Sequence, residues 1–405
     1  MTTISARRFL LAFAGTFLGI VALLSAHSIL VDPFGMWGTR IAPEKGYEKF
    51  GRVRVASDRV VKGLMLSRDR YDMLLIGSSR ALFGFDRAHP AFAGRRVYNG
   101  AFIGATAPEN ASVLAYALAR QSGLKDALIG LDLFAFARLK AFGDYDQSAF
   151  AGASLAAGYA SRVLSKDALD GSTRFWQSLR GRAVARMSLD GFQQPEPEWL
   201  RHRRKLFTRI VGVGTSDCGA PEEVVARLAQ GMDNFAKIAR QAKARGVNLH
   251  FYLSPIHVWA HALEDAAGRT GVHEAFRRMA RRMVDELAAA PGAGSVALWD
   301  FDGLDAVTTE DVPAEGSSAE TRYFWEPSHF RTPVGDAILA AMLGGPGRID
   351  GFGAQLVAAD MEAGIVATRA RLADWAASHP EDAAMLRAKA AIPRVCRDGV
   401  FQGAP

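Results

Sequence analysis

Two stretches far apart in the chain carry the residues best suited to covalent chemistry. The first, YDMLLIGSSRALFGFD, runs from Tyr71 to Asp86; its apolar segment Met73 to Ile76 meets Gly77 and then Ser78, Ser79 and Arg80. The segment suits a short strand buried on both faces, and serine is a favoured helix N-cap. A hydroxyl therefore falls at a strand-to-helix turn, on the carboxyl edge where parallel sheets place their chemistry. Alone, the GSSR tetrapeptide is equally what a capped turn requires. The second stretch, YFWEPSHFRTPVGD, holds Glu326-Pro327-Ser328-His329 just ahead of a helix. A carboxylate three residues before a histidine can fix the imidazole tautomer and leave the other ring nitrogen to take a proton from a serine. Together the stretches point to a nucleophilic relay.

Other titratable residues reach the same expected edge. His257, in Ser254-Pro255-Ile256-His257 after a strand, either lines the cleft and contacts substrate or is structural. Asp300 and Asp302, in LWDFDG, also follow a strand, and either could orient His329 in place of Glu326. No HExxH or EF-hand spacing is present. The two cysteines, Cys218 and Cys396, lie outside any CxxC spacing, so thiolate-held zinc is not expected. They form a disulfide or remain two thiols, and the compartment decides which is allowed. Neither a metal nor a cofactor is expected.

Strands are expected at 73–76, 95–98, 127–136, 247–253 and 296–299, and helices near 53–67, 108–121, 221–245, 264–290, 332–343 and 355–377. Strand and helix alternate, which argues for an α/β domain with a doubly wound parallel sheet. Residues 137–215 interrupt that rhythm and are expected to form a helical cap insertion over one sheet edge. Its basic residues Arg201, Arg203, Arg204, Lys205 and Arg209 suit a solvated face better than a binding groove.

Arg7 and Arg8 precede Phe9 to Val31, a run with no Asp, Glu, Lys or Arg. That length suits a single membrane-spanning helix, and the flanking arginines favour a cytoplasmic amino terminus with the bulk outside. A cleaved signal peptide ending near Ala26-His27-Ser28 is the rival. The expected division is an anchor over 1–31, a juxtamembrane linker and helix over 32–70, the α/β domain over 71–345 and a helical extension over 346–405. The hydrophobic fraction of 49% and charged fraction of 22% are those of a globular protein. The net charge of +7 favours anionic partners, and no nucleic-acid-binding motif accompanies it.

Over about Tyr71 to Asp336 the chain resembles the SGNH (GDSL-like) hydrolases, in particular their membrane-anchored cell-envelope branch. That branch includes acetyl-transferring proteins of exopolysaccharides and the D-alanine-transfer protein of teichoic-acid synthesis. In that register Gly77-Ser78-Ser79 stands for Gly-Asp-Ser, which makes Ser79 the nucleophile and puts Ser78 where the family has Asp. Gly104, in NGAFIGAT, matches the second block, and its N–H with that of Ser79 would line the oxyanion hole. Glu326 and His329 match the Asp-x-x-His block. The third block departs. Gly130-Leu131-Asp132 replaces Gly-x-Asn-Asp, and an ionised Asp132 cannot donate to an oxyanion. Arg80 either supplies positive charge there or pairs with a nearby carboxylate. The resemblance implies a three-layer, flavodoxin-like domain with five parallel strands in the order 2-1-3-4-5. It also implies a single-pass inner-membrane protein with a periplasmic domain that moves acyl groups to or from an envelope glycan, beside a multispanning acyl-transfer membrane protein. The alternative is a non-catalytic envelope-assembly protein that retains the fold.

Overall fold

Short apolar runs separated by long amphipathic stretches can bury their surfaces only by stacking helices on a sheet. The computed structural model describes residues 6–37, 48–49, 58–178, 180, 187–188, 190–193, 206–208, 219–314, 317, 319–392, 396–397 and 400–401. The chain divides into two compact units, Met1–Asp69 with Gly143–Gln193, and Arg70–Phe142 with Gln194–Pro405.

The first unit begins with a helix over Ala6–Val31, 26 residues with a mean hydropathy of 2.3 across its most apolar window. It is long and apolar enough to cross a membrane. Phe9, Phe13 and Phe17 stack along one side with centroids 6.4 and 6.5 Å apart, the neighbour spacing of i and i+4 on a helix. A second helix, Asp58–Arg68, opens with the Arg59 and Val60 N–H groups on the Asp144 carboxylate, each at 3.1 Å. An acceptor there satisfies helix-end donors that have no partner within the helix. Helices Leu155–Val163 and Lys166–Ser178, from the middle of the expected insertion, belong to this unit. Trp176 Nε1 donates to His27 Nε2 of the amino-terminal helix at 3.1 Å. The basic run Arg201 to Arg209, apart from residues 206–208, lies outside the described residues, as do Cys218 and with it the pairing to Cys396.

The second unit holds the main sheet. Strands β1 (Met73–Ile76), β2 (Val97–Asn99), β3 (Asp126–Leu131), β4 (Asn248–Leu253) and β5 (Val296–Asp300) run parallel in the order 2-1-3-4-5. β6 (Phe324–Glu326) and β7 (His329–Phe330) form a separate antiparallel hairpin. β8 (Ala354–Gln355) adds to β5 antiparallel, so the sheet has six strands instead of the five expected. Two exposed residues carry no alternation to read, and the helix expected from 355 begins at Met361. Leu74, Leu75, Ile76, Leu128, Ile129, Phe251 and Leu298 are buried in the sheet. Their continuous burial is what a parallel sheet covered on both faces requires.

Two other expectations change. The apolar run 127–136 is strand only to Leu131, and Asp132 then caps a single turn over Leu133–Phe136. An unbroken apolar run does not distinguish strand from buried helix. The helix expected over 264–290 is two helices, Val258–Ala266 and Thr270–Ala289, parted at Gly268 with φ of +70°. Glycine enters that left-handed conformation at little cost.

Helix Pro221–Ala244 packs against both Ala107–Arg120 and Thr270–Ala289. Right-handed crossovers place those three on one face of the sheet. The short helix Ser79–Gly84 and helix Thr332–Leu343, which touch each other, cover the opposite face. The chain therefore reverses its winding between β1 and β3. Crevices at the carboxyl ends of such a switch point hold the ligands of open α/β sheets.

Candidate active site

Ser79 lies at that switch point. β1 ends at Ile76, and Ser78 caps the next helix with φ −91° and ψ −163°, its Oγ accepting the Arg80 N–H at 3.3 Å. Ser79 is the first helical residue, so its own N–H has no partner one turn earlier. The residue is 6% exposed. The hydroxyl thus stands at a rigid turn on the sheet's edge.

The β6–β7 hairpin brings the histidine to it. Ser79 Oγ donates to His329 Nε2 at 2.6 Å. His329 Nδ1 donates to Glu326 Oε1, which fixes the tautomer with Nε2 free to accept. Ser328 locks the carboxylate in place, its N–H on Oε2 at 2.8 Å and its hydroxyl on Oε1 at 3.0 Å. Glu326 is wholly buried. Burial would push its carboxyl up, but the His329 charge, the hydrogen bond to His329 and those from Ser328 outweigh it and hold the group below its ordinary value. The acid is therefore ionised at neutral pH and able to stabilise an imidazolium.

Glycines allow close packing around the Ser79–His329 contact. A Cβ on Gly84, at the end of the helix that starts at Ser79, would lie 2.0 Å from Phe330 Cε2. One on Gly335 would lie 1.9 Å from the Gly84 carbonyl oxygen. Only residues without a Cβ let the helix that starts at Ser79, the strand that carries His329 and the helix behind both come this near.

The other expected residues divide. Gly104, in the loop after β2, is half-buried with φ of +65°. Its N–H makes no hydrogen bond among the described residues, and the nearest side chain to its missing Cβ is that of Arg138. Arg80 is paired: Nη1 donates to Asp132 Oδ1 at 2.7 Å and Nε to the Ser328 carbonyl at 2.7 Å, with the guanidinium 5.0 Å from the Phe134 ring centroid. Asp132 is buried and held by that arginine. Asp300 pairs with Arg277, and Asp302 accepts from His261 Nε2 at 3.2 Å. Both aspartates are thus engaged away from His329, and Glu326 is the carboxylate that holds it.

His257 does not line the cleft. It is fully buried and caps helix Val258–Ala266, Nδ1 accepting the Trp259 N–H at 3.2 Å and Nε2 donating to the Glu310 carbonyl at 2.8 Å. Both ring nitrogens are engaged with backbone groups, which is the structural one of the two roles open to it. Burial lowers its pKa to about 4. Its backbone N–H donates to the Pro327 carbonyl at 2.9 Å and so supports the Glu326–His329 loop from behind.

Glu310 was not among the residues singled out in the sequence. Its carboxylate accepts the N–H groups of Arg322, Tyr323 and Phe324 at 2.8, 2.9 and 2.7 Å, which anchors the start of β6. It sits in a loop with no periodicity, and its partners are backbone groups, which leave no trace in residue type.

Among the described residues no group of three or more His, Cys, Asp or Glu is arranged to hold a metal ion. The arrangement is a serine hydroxyl aimed at an oriented imidazole, backed by a buried carboxylate, with the Ser79 N–H, among the described residues, left without a partner at the start of its helix. That set can activate a nucleophile for acyl transfer. Comparison with family models, curated proteins and solved structures finds no match to this chain.

Proposed function

We propose that the chain is a membrane-anchored, SGNH-like serine esterase or O-acyltransferase that acts on acyl esters of a cell-envelope glycan. One observation carries the reading: Ser79 Oγ, His329 and Glu326 are joined in a continuous hydrogen-bonded relay. In this reaction Ser79 Oγ attacks the ester carbonyl carbon while its proton passes to His329 Nε2. The Ser79 and Gly104 N–H groups receive the oxyanion, and Glu326 stabilises the imidazolium. His329 returns the proton to the departing alkoxide. Water or a sugar hydroxyl then gives its proton to His329 as it takes the acyl group, and His329 passes that proton to the departing Ser79 Oγ, which restores the starting state.

The helix Ala6–Val31 supports an anchor, and Arg7 and Arg8 in its first turn, ahead of the apolar run, support a periplasmic placement of the rest. The glycan substrate, the inner membrane and a multispanning acyl-transfer partner follow from the resemblance to the envelope branch. A second reading, a non-catalytic assembly protein, has one observation in its favour. Asp132 stands where the family has an oxyanion-donating Asn, and losing one such donor costs about 10²–10³ in rate.

Serine-directed fluorophosphonate labelling of the purified protein separates the two. The acyl-transfer reading expects an adduct on the wild type that vanishes in Ser79→Ala, and an unlabelled wild type favours the assembly protein.

A further inference from the structure

Three turns must keep register for the relay to work: the nucleophile turn after β1, the turn after β3, and the loop between β6 and β7. One side chain joins all three. Arg80 projects from the residue after the nucleophile, and its Nη1 reaches Asp132 Oδ1 at 2.7 Å while its Nε reaches the Ser328 carbonyl at 2.7 Å. The guanidinium plane also rests near Phe134 in the turn after β3, 5.0 Å from its centroid. We infer that Arg80 is a positioning residue that sets His329 against Ser79, and that Asp132 serves to hold Arg80 and takes no part in the oxyanion hole. The inference rests on the acyl-transfer reading above.

Ser328 shows why this contact matters. It precedes His329, and its N–H and hydroxyl are fixed to Glu326 at 2.8 and 3.0 Å. Its carbonyl is the remaining handle, and Arg80 holds it. The peptide plane between Ser328 and His329 is thereby held at its carbonyl, next to a residue whose N–H and hydroxyl are already fixed, and with it the direction from which the imidazole approaches Ser79. The pin originates one residue from the nucleophile, so any movement of the Ser79 turn carries the base with it.

Asp132 fits this role better than any contact with an oxyanion. It is 1% exposed, and Arg80 is the one hydrogen-bond donor to its carboxylate among the described residues, Oδ2 having no partner. A buried carboxylate with a guanidinium partner has its charge compensated. A negative charge turned towards a developing oxyanion would oppose it. Lysine cannot replace this arginine, because a point ammonium does not present two donors in fixed, different directions of one plane to the Ser328 carbonyl and Asp132.

The test uses full-length protein in detergent, a fluorophosphonate probe, and Ser79→Ala as the blank. Variants are Arg80→Lys, Asp132→Asn and the double change Arg80→Met with Asp132→Leu, which removes both charges and keeps the site packed. Circular dichroism and Tm establish that each is folded. Arg80→Lys and the double variant are expected to label about 10²-fold more slowly, as displacement of a catalytic group by roughly 1 Å does. Asp132→Asn, whose amide oxygen still accepts from Arg80, is expected to label within about threefold of wild type. A folded double variant that labels at the wild-type rate overturns the inference. So does a rise of about tenfold or more in Asp132→Asn, since that is what restoring an oxyanion donor would produce.

A second readout needs no reactivity. In protein with 15N-labelled histidine, the His329 Nδ1–H resonance is identified by its loss in His329→Gln. It is expected to shift in Arg80→Lys and to hold in Asp132→Asn. An unlabelled wild type with that shift present overturns the acyl-transfer reading and leaves Arg80 as the pin of His329. An unchanged resonance in Arg80→Lys overturns the positioning role.

Discussion

Ser79 and His329 are 250 residues apart in sequence, yet Ser79 Oγ lies 2.6 Å from His329 Nε2. The distance is that of a strong O–H···N contact, and His329 is held at its other nitrogen by the buried Glu326. The pair makes graded predictions. Ser79→Ala is expected to abolish fluorophosphonate labelling, and His329→Ala to reduce its rate by about 10³ or more. Glu326→Gln keeps the size of the side chain but offers an N–H where His329 must donate, favouring the wrong tautomer. Its cost is expected to be about 10²–10⁴ in labelling rate. A Glu326→Gln protein that labels like wild type would show that the carboxylate does not orient the base.

The same contact is closely packed through two residues that do no chemistry. Gly84 and Gly335 each leave no room for a Cβ, the nearest atoms being Phe330 Cε2 at 2.0 Å and the Gly84 carbonyl oxygen at 1.9 Å. Overpacking of this kind costs about 1–3 kcal/mol and moves the neighbours. Gly335→Ala is the sharper case, because its obstacle is backbone. Thermal unfolding of Gly335→Ala is expected to show a lower Tm, and its labelling rate to fall even at temperatures where it is folded. Labelling that survives at the wild-type rate would mean that the close approach does not set the Ser79–His329 distance.

His257 ties acid sensitivity to the same loop. Burial lowers its pKa to about 4 in the folded protein, with the His261 charge acting in the same direction and the Glu310 carbonyl, Glu326 and Asp311 opposing. Its unfolded value is about 6.5. Between those values the unfolded chain binds more protons than the folded one, so stability rises with pH across that window and falls as pH drops from about 6.5 to about 4. The full effect is about 3 kcal/mol. His273, which burial lowers to about 3, adds to the slope in the same direction. Urea midpoints measured from pH 4 to pH 7 are expected to climb in wild type and to climb less in His257→Asn, which keeps a capping acceptor and cannot titrate. Equal slopes in the two proteins would show that His257 is not the group responsible.

What could be read from the sequence follows the range of the forces involved. The edges of β1 and of helix Thr332–Leu343 were readable because a buried apolar run and a proline at the start of a helix are local signals. The Glu326–His329 spacing was likewise local. The ends of β3 and the break at Gly268 were not, because an apolar run is compatible with strand and with buried helix alike, and glycine is tolerated inside helices. β8 had two exposed residues and no pattern. Arg80, Asp132 and Ser328 could be noticed as unusual residues near the motifs. Their mutual hydrogen bonds required three separately folded turns to meet, which no spacing encodes. His257 stayed open for a related reason: a histidine after a strand looks the same whether its ring faces a cleft or caps a helix.

The amino-terminal helix provides a prediction independent of the chemistry. Ala6–Val31 exposes Phe9, Leu11, Phe13, Leu18 and Leu23 at more than 60% of their surface each. Leaving that much apolar area in water is unfavourable by about 25 cal/mol per Å², which favours burial of this helix in lipid if it is retained. The end of the helix has a different task, since His27 is bonded to Trp176 at 3.1 Å and Ser28 and Val31 are buried. A variant lacking residues 1–24 removes the apolar surface and keeps these contacts. It is expected to stay folded, to label at Ser79 and to appear in the soluble fraction, whereas the full chain resists alkaline carbonate extraction from membranes. Arg7 and Arg8 on the amino side favour a cytoplasmic start. A reporter at the carboxyl end that is active only outside the cytosol should therefore be active on the full chain. Carbonate release of the full chain, or a silent reporter, would refute the anchor or its orientation respectively.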